Sequence, residues 1–441
     1  MTDGVICPPI DNPDMVIDLE ERIAMAGGID PNCHLAFPGQ QFAPLLDKGI
    51  PSPVNIGTAF SRMGYVHVHH PFTSLLMAHD VQRTLNQIPY VDKSFNISLD
   101  FRDMGKNIKS KNVNGFCDEI RALIHLTGAI GLFITFPFLR HKQPYYIQKN
   151  ISTKKTFEFL SEIDDPDVFP LALWGVPSLL ENTIPMAERF VISCLADTFE
   201  SENSLENMEC FLNSGGKASL GLNHNRKFLD VSCTDEYLPG TFSIDAGIQN
   251  AYPLQYRMRK IEIMSDLSQI GWITMNRCGN SGGISLSSIS PPMGYMDRIP
   301  LVVSWLINKA QRPESIDNVL DGREFDLFDI ARFTRLGPAS QLGLDDLGHL
   351  KVGAAANIAV YDLKPNMSAA QTVEALSNCW CLIKDGLVIR NNGKFTSAKP
   401  DSKIRYRQID FDPDSLKRTA LLQTPSLRME NLFLRRNTSE S

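Results

Sequence analysis

Histidine is the residue type whose placement in this chain most directly suggests chemistry. Five of the nine histidines fall early in the sequence, at positions 34, 67, 69, 70 and 79. His67 and His69 stand two residues apart in a strand-like run, so their side chains point to the same side, and His34 ends a neighbouring candidate strand. Three imidazoles in one place can bind Zn²⁺, which makes His34, His67 and His69 a candidate metal site. The alternative is that these histidines are hydrogen-bonded in or beside a core without metal, since no carboxylate is obviously paired with them.

Short apolar runs alternate with amphipathic stretches, and these elements must position the histidines. The alternation predicts a mainly parallel α/β sheet, and at 441 residues a (β/α)8 TIM barrel is the natural candidate. The candidate strands are 28–34, 65–70, 130–136, 169–174, 190–195, 241–246 and 272–276. Helical patterns occupy 114–126 and 299–310, and the polar stretches 201–225 and 279–296 are predicted to be loops.

The sequence changes character after about residue 336. Strand-like runs at 350–363 and 379–391 predict a small β domain, with Asp385-Gly386 as a hairpin turn signal. The predicted organisation is a reduced β-sandwich from 1–27 and 345–396, a barrel over 28–344, and a C-terminal tail over 397–441. The N-terminal share of the sandwich is short, which predicts an exposed sheet edge open to a partner.

Composition and charge exclude several classes of protein. Apolar residues make up 43% of the chain and charged residues 21%, as is ordinary for a globular protein. The net charge of −7 leaves no basic surplus for a dedicated nucleic-acid binder. The apolar run 126–139 is too short to span a membrane, and the N-terminus shows no signal-peptide pattern. The nine cysteines are scattered without a CxxC pair, which indicates a reducing compartment, so we expect a cytoplasmic protein.

Several motifs resemble the amidohydrolase superfamily. The run 335–344 (RLGPASQLGL), continued by 348–362 (GHLKVGAAANIAVYD), is similar to the segment in which the chain leaves the barrel and completes the β-sandwich. The run 27–36 (GGIDPNCHLA) resembles the first barrel strand of that superfamily. Within it, the chain is most similar to the A subunit of formylmethanofuran dehydrogenase and to its bacterial relative, the A subunit of the formyltransferase/hydrolase complex. The motifs that carry this closer resemblance are 57–65 (GTAFSRMGY), 88–93 (IPYVDK), Gly175–Pro177, Ser281-Gly282-Gly283 and the run 323–343 that leads into the sandwich.

The resemblance implies one or two Zn²⁺ ions at the mouth of the barrel, where a bound metal activates water for hydrolysis. The ligands it implies are a His-x-His after the first strand, a carboxylated lysine, two further histidine sites and a terminal aspartate. The residues at those positions here are Asn32 with His34, then Phe133 for the lysine, Ala172 and Trp174 for a second His-x-His, and Asn276 for the catalytic aspartate. Only His34 of that set remains. We therefore expect the metal hydrolase centre to be lost and the vacated space to be filled by apolar side chains. No cofactor is expected unless the histidine cluster is a rebuilt zinc site.

The function implied by this resemblance is that of a subunit of a formyltransferase/hydrolase complex in tetrahydromethanopterin-linked one-carbon metabolism. Its partners would be the other subunits, with methanofuran- or tetrahydromethanopterin-type carriers bound by the complex, and neither nucleic acid nor membrane. The family's reaction is hydrolysis of a formyl amide, and this chain is expected to be catalytically degenerate, a pseudo-enzyme. One alternative is an active amidohydrolase or deformylase with a remodelled histidine site. Another is a protein that binds a ligand at the barrel mouth without chemistry.

Overall fold

Two sheets, one parallel and one antiparallel, organise the protein. The structure is a computed structural model that describes residues 1–36, 51–100, 104–135, 152–174, 181–193, 203–221, 227–232, 255–260, 263–288, 296–398, 400–412 and 414. Its strands are β1 Ile23–Ala26, β2 Gly28–Asp30, β3 Tyr65–Ser74, β4 Asp92–Asp100, β5 Gly131–Thr135, β6 Leu171–Trp174, β7 Phe190–Ser193, β8 Lys217–Gly221, β9 Lys227–Ser232, β10 Gln255–Lys260, β11 Ile284–Ser287, β12 Ile358–Tyr361, β13 Cys381–Lys384, β14 Leu387–Asn391 and β15 Lys394–Phe395. Its α-helices are α1 Pro53–Arg62, α2 Ala78–Leu85, α3 Gly105–Ser110, α4 Val113–Thr127, α5 Thr153–Ser161, α6 Asn203–Asn213, α7 Ile263–Cys278, α8 Ile299–Ile307, α9 Glu314–Leu320, α10 Leu327–Ala331, α11 Gly337–Leu342 and α12 Ala369–Ser377. No helix within these ranges is long and apolar enough to cross a membrane.

The parallel sheet forms a nearly closed barrel, which confirms the predicted fold class. Its eight strands follow the order β11-β8-β7-β6-β5-β4-β3-β2. Within the described ranges the edge strands β2 and β11 share no backbone ladder. Instead the N–H of Ser288, just after β11, donates to the carboxylate of Asp30 on β2 at 3.1 Å. Asp30 is fully buried, and burial raises its pKa to about 6. A side chain therefore joins the two edges of the barrel.

Alternation along the barrel strands separates an apolar outer face from a polar inner face. On β4, for example, Phe95, Ile97 and Leu99 are buried in the main apolar core. The inner face is traced by the residues at corresponding positions of successive ladders: Ile29, His67, His69, Asp92, Ser94, Asn96, Ser98, Gly131, Phe133, Ala172, Val191, Ser193, Lys217, Ser219, Gly221, Ser285 and Ser287. Parallel barrels usually fill this space with bulky branched side chains. Here serine is the commonest inner residue, so the interior is polar.

Both stretches predicted to be loops contain barrel strands. Residues 201–225 include helix α6 and strand β8, and residues 279–296 include strand β11. These predictions were wrong because the segments KASLG and ISLS present only two apolar residues each to the outer layer (Ala218 and Leu220, Ile284 and Leu286), whereas serine and glycine alternate with them on the inner face. A polar inner face removes the hydrophobicity that marks most barrel strands.

The strand predicted at 272–276 is also wrong, because these residues belong to helix α7. Trp272, Met275 and Cys278 are buried at a spacing of three residues, which is the pattern of a helix face. Asn276 lies on this helix, outside the barrel strands, and its side-chain amide donates to the carbonyl oxygen of Val319 on α9 at 3.1 Å. The predicted strand at 241–246 lies outside the described residues.

The antiparallel sheet has the order β1-β12-β13-β14-β15. Strand β1 pairs with β12 from Ile23 opposite Tyr361 to Ala26 opposite Ile358, so the N-terminal segment and the C-terminal β region share one sheet. The predicted hairpin turn is confirmed: Asp385 and Gly386 have φ values of +48° and +80° between β13 and β14. A second antiparallel pair, β9 with β10, was not predicted.

Arg335 joins the barrel layer to the antiparallel sheet. Its guanidinium donates to the Ala26 carbonyl oxygen at 3.1 Å and to the Tyr361 hydroxyl at 2.7 Å. The Tyr361 hydroxyl in turn donates to the Met63 carbonyl oxygen at 2.8 Å, at the end of α1. Arg335 and Tyr361 are at most 4% exposed, so these bonds lie in the interior. This network explains why the motif beginning at residue 335 carries an arginine.

We expect Arg335→Met to lower the free energy of unfolding by about 2–4 kcal/mol, because it leaves a buried carbonyl and a buried hydroxyl with one partner fewer. Urea unfolding followed by circular dichroism measures the change. Arg83→Met, at an exposed position on α2, is the control and should change stability by less than about 0.5 kcal/mol. Equal effects of the two substitutions would contradict the structural role of Arg335.

Residues 402–407, here called the strap, lie against the N-terminal end of the barrel. The N–H of Lys93 donates to the Lys403 carbonyl oxygen at 2.8 Å, and the N–H of Arg405 donates to the Lys93 carbonyl oxygen at 2.7 Å. Asp92, at the start of β4, pairs with Lys384 of β13 at 2.9 Å and with Arg405 at 3.1 Å. One buried carboxylate therefore holds the barrel, the antiparallel sheet and the strap together.

Candidate functional site

Two histidines inside the barrel are joined by one serine hydroxyl. His67 Nε2 and His69 Nδ1 each lie 2.8 Å from Ser94 Oγ. All three side chains are buried on the inner face of neighbouring strands. Burial lowers the pKa of both imidazoles well below the usual value, so both rings are neutral near pH 7.

The hydrogen-bond pattern favours one arrangement of protons. A hydroxyl carries a single proton, so Ser94 donates to one ring and accepts from the other. His67 Nδ1 is buried without a hydrogen-bond partner. Buried N–H groups are rarely left unpaired, which favours a bare Nδ1 and a proton on Nε2 of His67. Ser94 then donates to His69 Nδ1, and His69 carries its own proton on Nε2. The chain of bonds ends in an N–H donor.

His34 lies in a different set of contacts, beyond the carboxyl end of β2. Its ring centroid is 6.4 Å from that of His70 and 5.6 Å from that of Phe72. Burial, with a smaller effect of neighbouring His70, lowers the pKa of His34 to about 3, and burial lowers that of His70 to about 4. Over the described part of the chain, no group of three or more His, Cys, Asp or Glu side chains could hold a metal ion. The structure brings His67 and His69 together, but His34 does not complete a triad with them.

The positions expected to hold the family's zinc ligands do not fit a binuclear metal centre. Phe133 is fully buried on the inner face, with its ring centroid 5.1 Å from that of Phe72. Ala172 pairs with it across the ladder and offers no donor atom. Asn276, expected at the end of the last barrel strand, lies on helix α7 instead. The last barrel strand is β11, and it ends at Ser287. Hydroxyl and aryl groups are poor substitutes for imidazole and carboxylate as zinc ligands.

The expected filling of this space by apolar side chains is only partly correct. Phe133 occupies the interior as expected, and the Trp174 side chain lies outside the described part of the structure. Ala172, in contrast, lines a cavity of about 390 Å³ inside the barrel. His69, Asn96 and Ser193 also line it. The interior is therefore open and polar next to the apolar Phe72–Phe133 contact.

Sequence reasoning missed two residues of this region, Ser94 and Asp30. Ser94 belongs to β4, which was not among the candidate strands although its sequence DKSFNISLD alternates polar and apolar residues. That alternation is the signal that could have found it. Asp30 lies inside the motif 27–36, but nothing in its local sequence shows that it meets Ser288 across the barrel seam.

Comparison with known proteins supports the resemblance seen in the motifs. Residues 285–390 match the amidohydrolase family. The chain is 34% identical over 128 residues to protein FwdA of Methanocaldococcus jannaschii, covering 26% of this chain and 23% of that protein. It is 29% identical over 161 residues to the A subunit of the formyltransferase/hydrolase complex Fhc of Methylorubrum extorquens, covering 34% of this chain and 28% of that relative. The matched segments thus span about a quarter of the length of these two relatives.

A solved structure shares the fold over nearly the whole chain. It is that of the formyltransferase/hydrolase complex FhcABCD from Methylorubrum extorquens in complex with methylofuran, with a TM-score of 0.79 and 19% sequence identity. The superposition covers 98% of this chain and 92% of the matched chain. The barrel and the antiparallel sheet described above are therefore one known arrangement.

Proposed function

We propose, from the match of residues 285–390 to the amidohydrolase family and from the TIM-barrel fold, that this chain is the A-type subunit of a formyltransferase/hydrolase complex of the formylmethanofuran dehydrogenase kind. The observation that carries the proposal is the 34% identity over 128 residues to FwdA. The match to the A subunit of the bacterial Fhc complex supports the same assignment. Such a complex would act in one-carbon metabolism on a formyl group bound to a methanofuran- or tetrahydromethanopterin-type carrier.

We further propose that this subunit has no metal hydrolase centre of its own. Phe133 and Ala172 present no ligand atoms where the family has a carboxylated lysine and a histidine, and Ser287 ends the last barrel strand. The role left to the chain is structural or regulatory, with formyl transfer or hydrolysis performed by the assembled complex. We place the complex in the cytoplasm, because the seven cysteines of the described residues form no disulfide with one another and thiols stay reduced there.

The test combines partner identification with metal analysis. Affinity-tagged chain, isolated from its native cells, is expected to bring down stoichiometric partner subunits identifiable by mass spectrometry. The purified chain should contain well below one zinc per molecule by elemental analysis, and His34→Ala should leave that content unchanged, because His34 is the one family ligand retained. His79→Ala, at an exposed histidine on α2, is the matched control.

One result would contradict membership of a complex, and another would contradict the loss of the metal centre. A chain that purifies alone from native cells contradicts membership of a complex. One to two zinc ions per chain, lost in His34→Ala but kept in His79→Ala, contradict the loss of the metal centre. Turnover of a formyl amide by the isolated chain, abolished in His67→Ala, would favour the remodelled deformylase instead, with the His67–Ser94–His69 chain as its site.

A further inference from the structure

The barrel interior contains a cavity that the proposed function does not use. Its volume of about 390 Å³ lies in the range of about 300–1,000 Å³ that is typical of small-molecule sites. It extends from the inner-face residues Ala172 and Ser193 down to Gly343 and Tyr406, at the N-terminal end of the barrel. Interiors of TIM barrels are normally packed cores rather than open spaces. Small residues at inner-face positions, Gly131, Ala172 and Ser193, leave part of this space unfilled.

The cavity is lined by both hydrogen-bond donors and hydrogen-bond acceptors. Gln341, at the end of α11, is only 3% exposed, and its Oε1 is a buried acceptor without a hydrogen-bond partner. It lines the cavity together with the Asn96 amide and the Ser193 hydroxyl. His69 closes the inner end, and the proton arrangement derived above gives it an N–H donor on Nε2. An unpaired buried acceptor costs about 1–3 kcal/mol, and a ligand donor would remove that cost.

The remaining walls define what kind of molecule fits. Apolar side chains, among them Pro170, Val191 and Leu344, form much of the surface. The guanidinium of Arg407 is directed to the backbone, with Nη1 donating to the Asp167 and Phe169 carbonyl oxygens at 3.1 and 3.3 Å. Buried charge without a partner is unfavourable, so the deep part of the cavity, which holds a neutral histidine and no free cation among the described lining residues, disfavours an ion.

The entrance lies at the N-terminal end of the barrel, opposite the edge where the strands end and the family's metal would lie. Gly343, Asp345 and Tyr406 line it, and all three are exposed to solvent. Tyr406 belongs to the strap, which is held by the Arg405 pairs with Asp92 and Asp346. The strap and the end of α11 together form the rim.

We propose that this cavity is a binding site for a small uncharged molecule with an apolar body and a carboxamide-like polar group, which enters between residues 343–345 and the strap. The carboxamide N–H₂ donates to Gln341 Oε1, its carbonyl oxygen accepts from the polar wall, and its apolar body contacts Pro170, Val191 and Leu344. The site is independent of the metal positions and of the proposed complex, so its failure would leave the proposed function intact.

Benzamide is the probe, benzoate is its charged isostere, and toluene is its apolar counterpart. Titration calorimetry and crystal soaks with the full chain are expected to show benzamide bound in the cavity with a Kd in the millimolar range, about what nine non-hydrogen atoms support. Benzoate and toluene should bind at least about tenfold more weakly, because one brings an unpaired charge and the other leaves Gln341 unpaired. Equal binding of the three molecules, or no benzamide binding at all, overturns the proposal.

Variants test the named contacts. Gln341→Met should weaken benzamide binding about tenfold, and Ala172→Phe should abolish it by filling the space. Gln311→Met is the matched control, because Gln311 Oε1 is also a buried acceptor without a partner but does not line the cavity. Thermal melting establishes that each variant is folded, and the comparison of the three probes on the unmodified chain remains decisive if Ala172→Phe does not fold. Unchanged benzamide binding in Gln341→Met overturns the assignment of the polar contact.

Discussion

Asp92→Ala is expected to lower the free energy of unfolding by about 3 kcal/mol or more, because it removes one partner from a buried ion-pair network. The Asp92 and Lys384 side chains are 3% and 0% exposed, and Asp92 also accepts from the Lys403 N–H at 3.0 Å. Lys384 keeps a second carboxylate, Asp385, at 2.7 Å, so we expect the lower end of the range of about 3–5 kcal/mol known for broken buried pairs. Urea unfolding measures the loss, and limited trypsin digestion at Lys403 and Arg405 should become faster as the strap detaches.

Two comparisons make this test specific. Asp92→Asn keeps the shape but removes the charge, and should cost nearly as much as alanine if the ion pairs are what stabilise the contact. Asp80→Ala removes an exposed ion pair with Arg83, in which the side chains are 41% and 63% exposed, and should cost less than about 0.5 kcal/mol. If Asp92→Ala and Asp80→Ala have similar effects, the strap is not held by this network.

Stability is expected to fall steeply as the pH drops below about 6.5, because four histidines are buried in the neutral form. The pKa of His34 is lowered to about 3 and that of His70 to about 4, and the pKa values of His67 and His69 are well below the usual value. Below pH 6.5 the unfolded chain binds protons at these positions and the folded chain does not, so the stability present above 6.5 is lost as the pH falls. Each histidine contributes at most about 1.4 kcal/mol per pH unit.

Asp30 acts in the opposite direction. Its pKa is raised to about 6 in the folded state by burial, so between about pH 6 and 4 the folded chain binds a proton that the unfolded chain does not. One of the four histidine contributions is therefore offset, and the limiting slope in that window is about 4 kcal/mol per pH unit. Urea unfolding at pH 7.5, 6.5, 6.0 and 5.5 measures it.

Substitutions separate the contributions to this slope. His70→Gln should reduce it by about 1.4 kcal/mol per pH unit, whereas His79→Gln, at an exposed position, should leave it unchanged. Asp30→Asn should steepen it, because the offsetting group is removed. A free energy of unfolding that stays flat from pH 7.5 to 5.5 would show that the four buried histidines do not remain neutral together.

Much of the architecture could be predicted because its signals are local. The helix predicted at 114–126 is found at Val113–Thr127, and the Asp385-Gly386 turn joins two strands as expected. Both depend on the periodicity or backbone preferences of neighbouring residues. Strands β8 and β11 could not be recognised in the same way. Their inner residues are serine and glycine, which indicate a loop unless one knows that they face a polar barrel interior.

The same distinction applies to the candidate site: some of its features follow from the local sequence, and others depend on contacts between distant segments. The sequence by itself determined that positions 133 and 172 carry phenylalanine and alanine, whose side chains have no atom that can bind zinc in any fold. It also determined that His67 and His69 share a side of one strand, because alternation along a strand is a local property.

Only the tertiary structure decided what occupies the interior instead. Ser94 contacts both histidines from the neighbouring strand, and Asp30 joins the two edges of the barrel. Gln341 and Ala172 line the same cavity although more than 150 residues separate them in the sequence. These contacts depend on strand register and barrel closure, which are set by the packing of the whole chain and leave no pattern in the neighbouring residues. The histidine spacing therefore predicted a shared face, whereas the folded barrel decided that this face meets Ser94 and, at His69, borders a polar cavity.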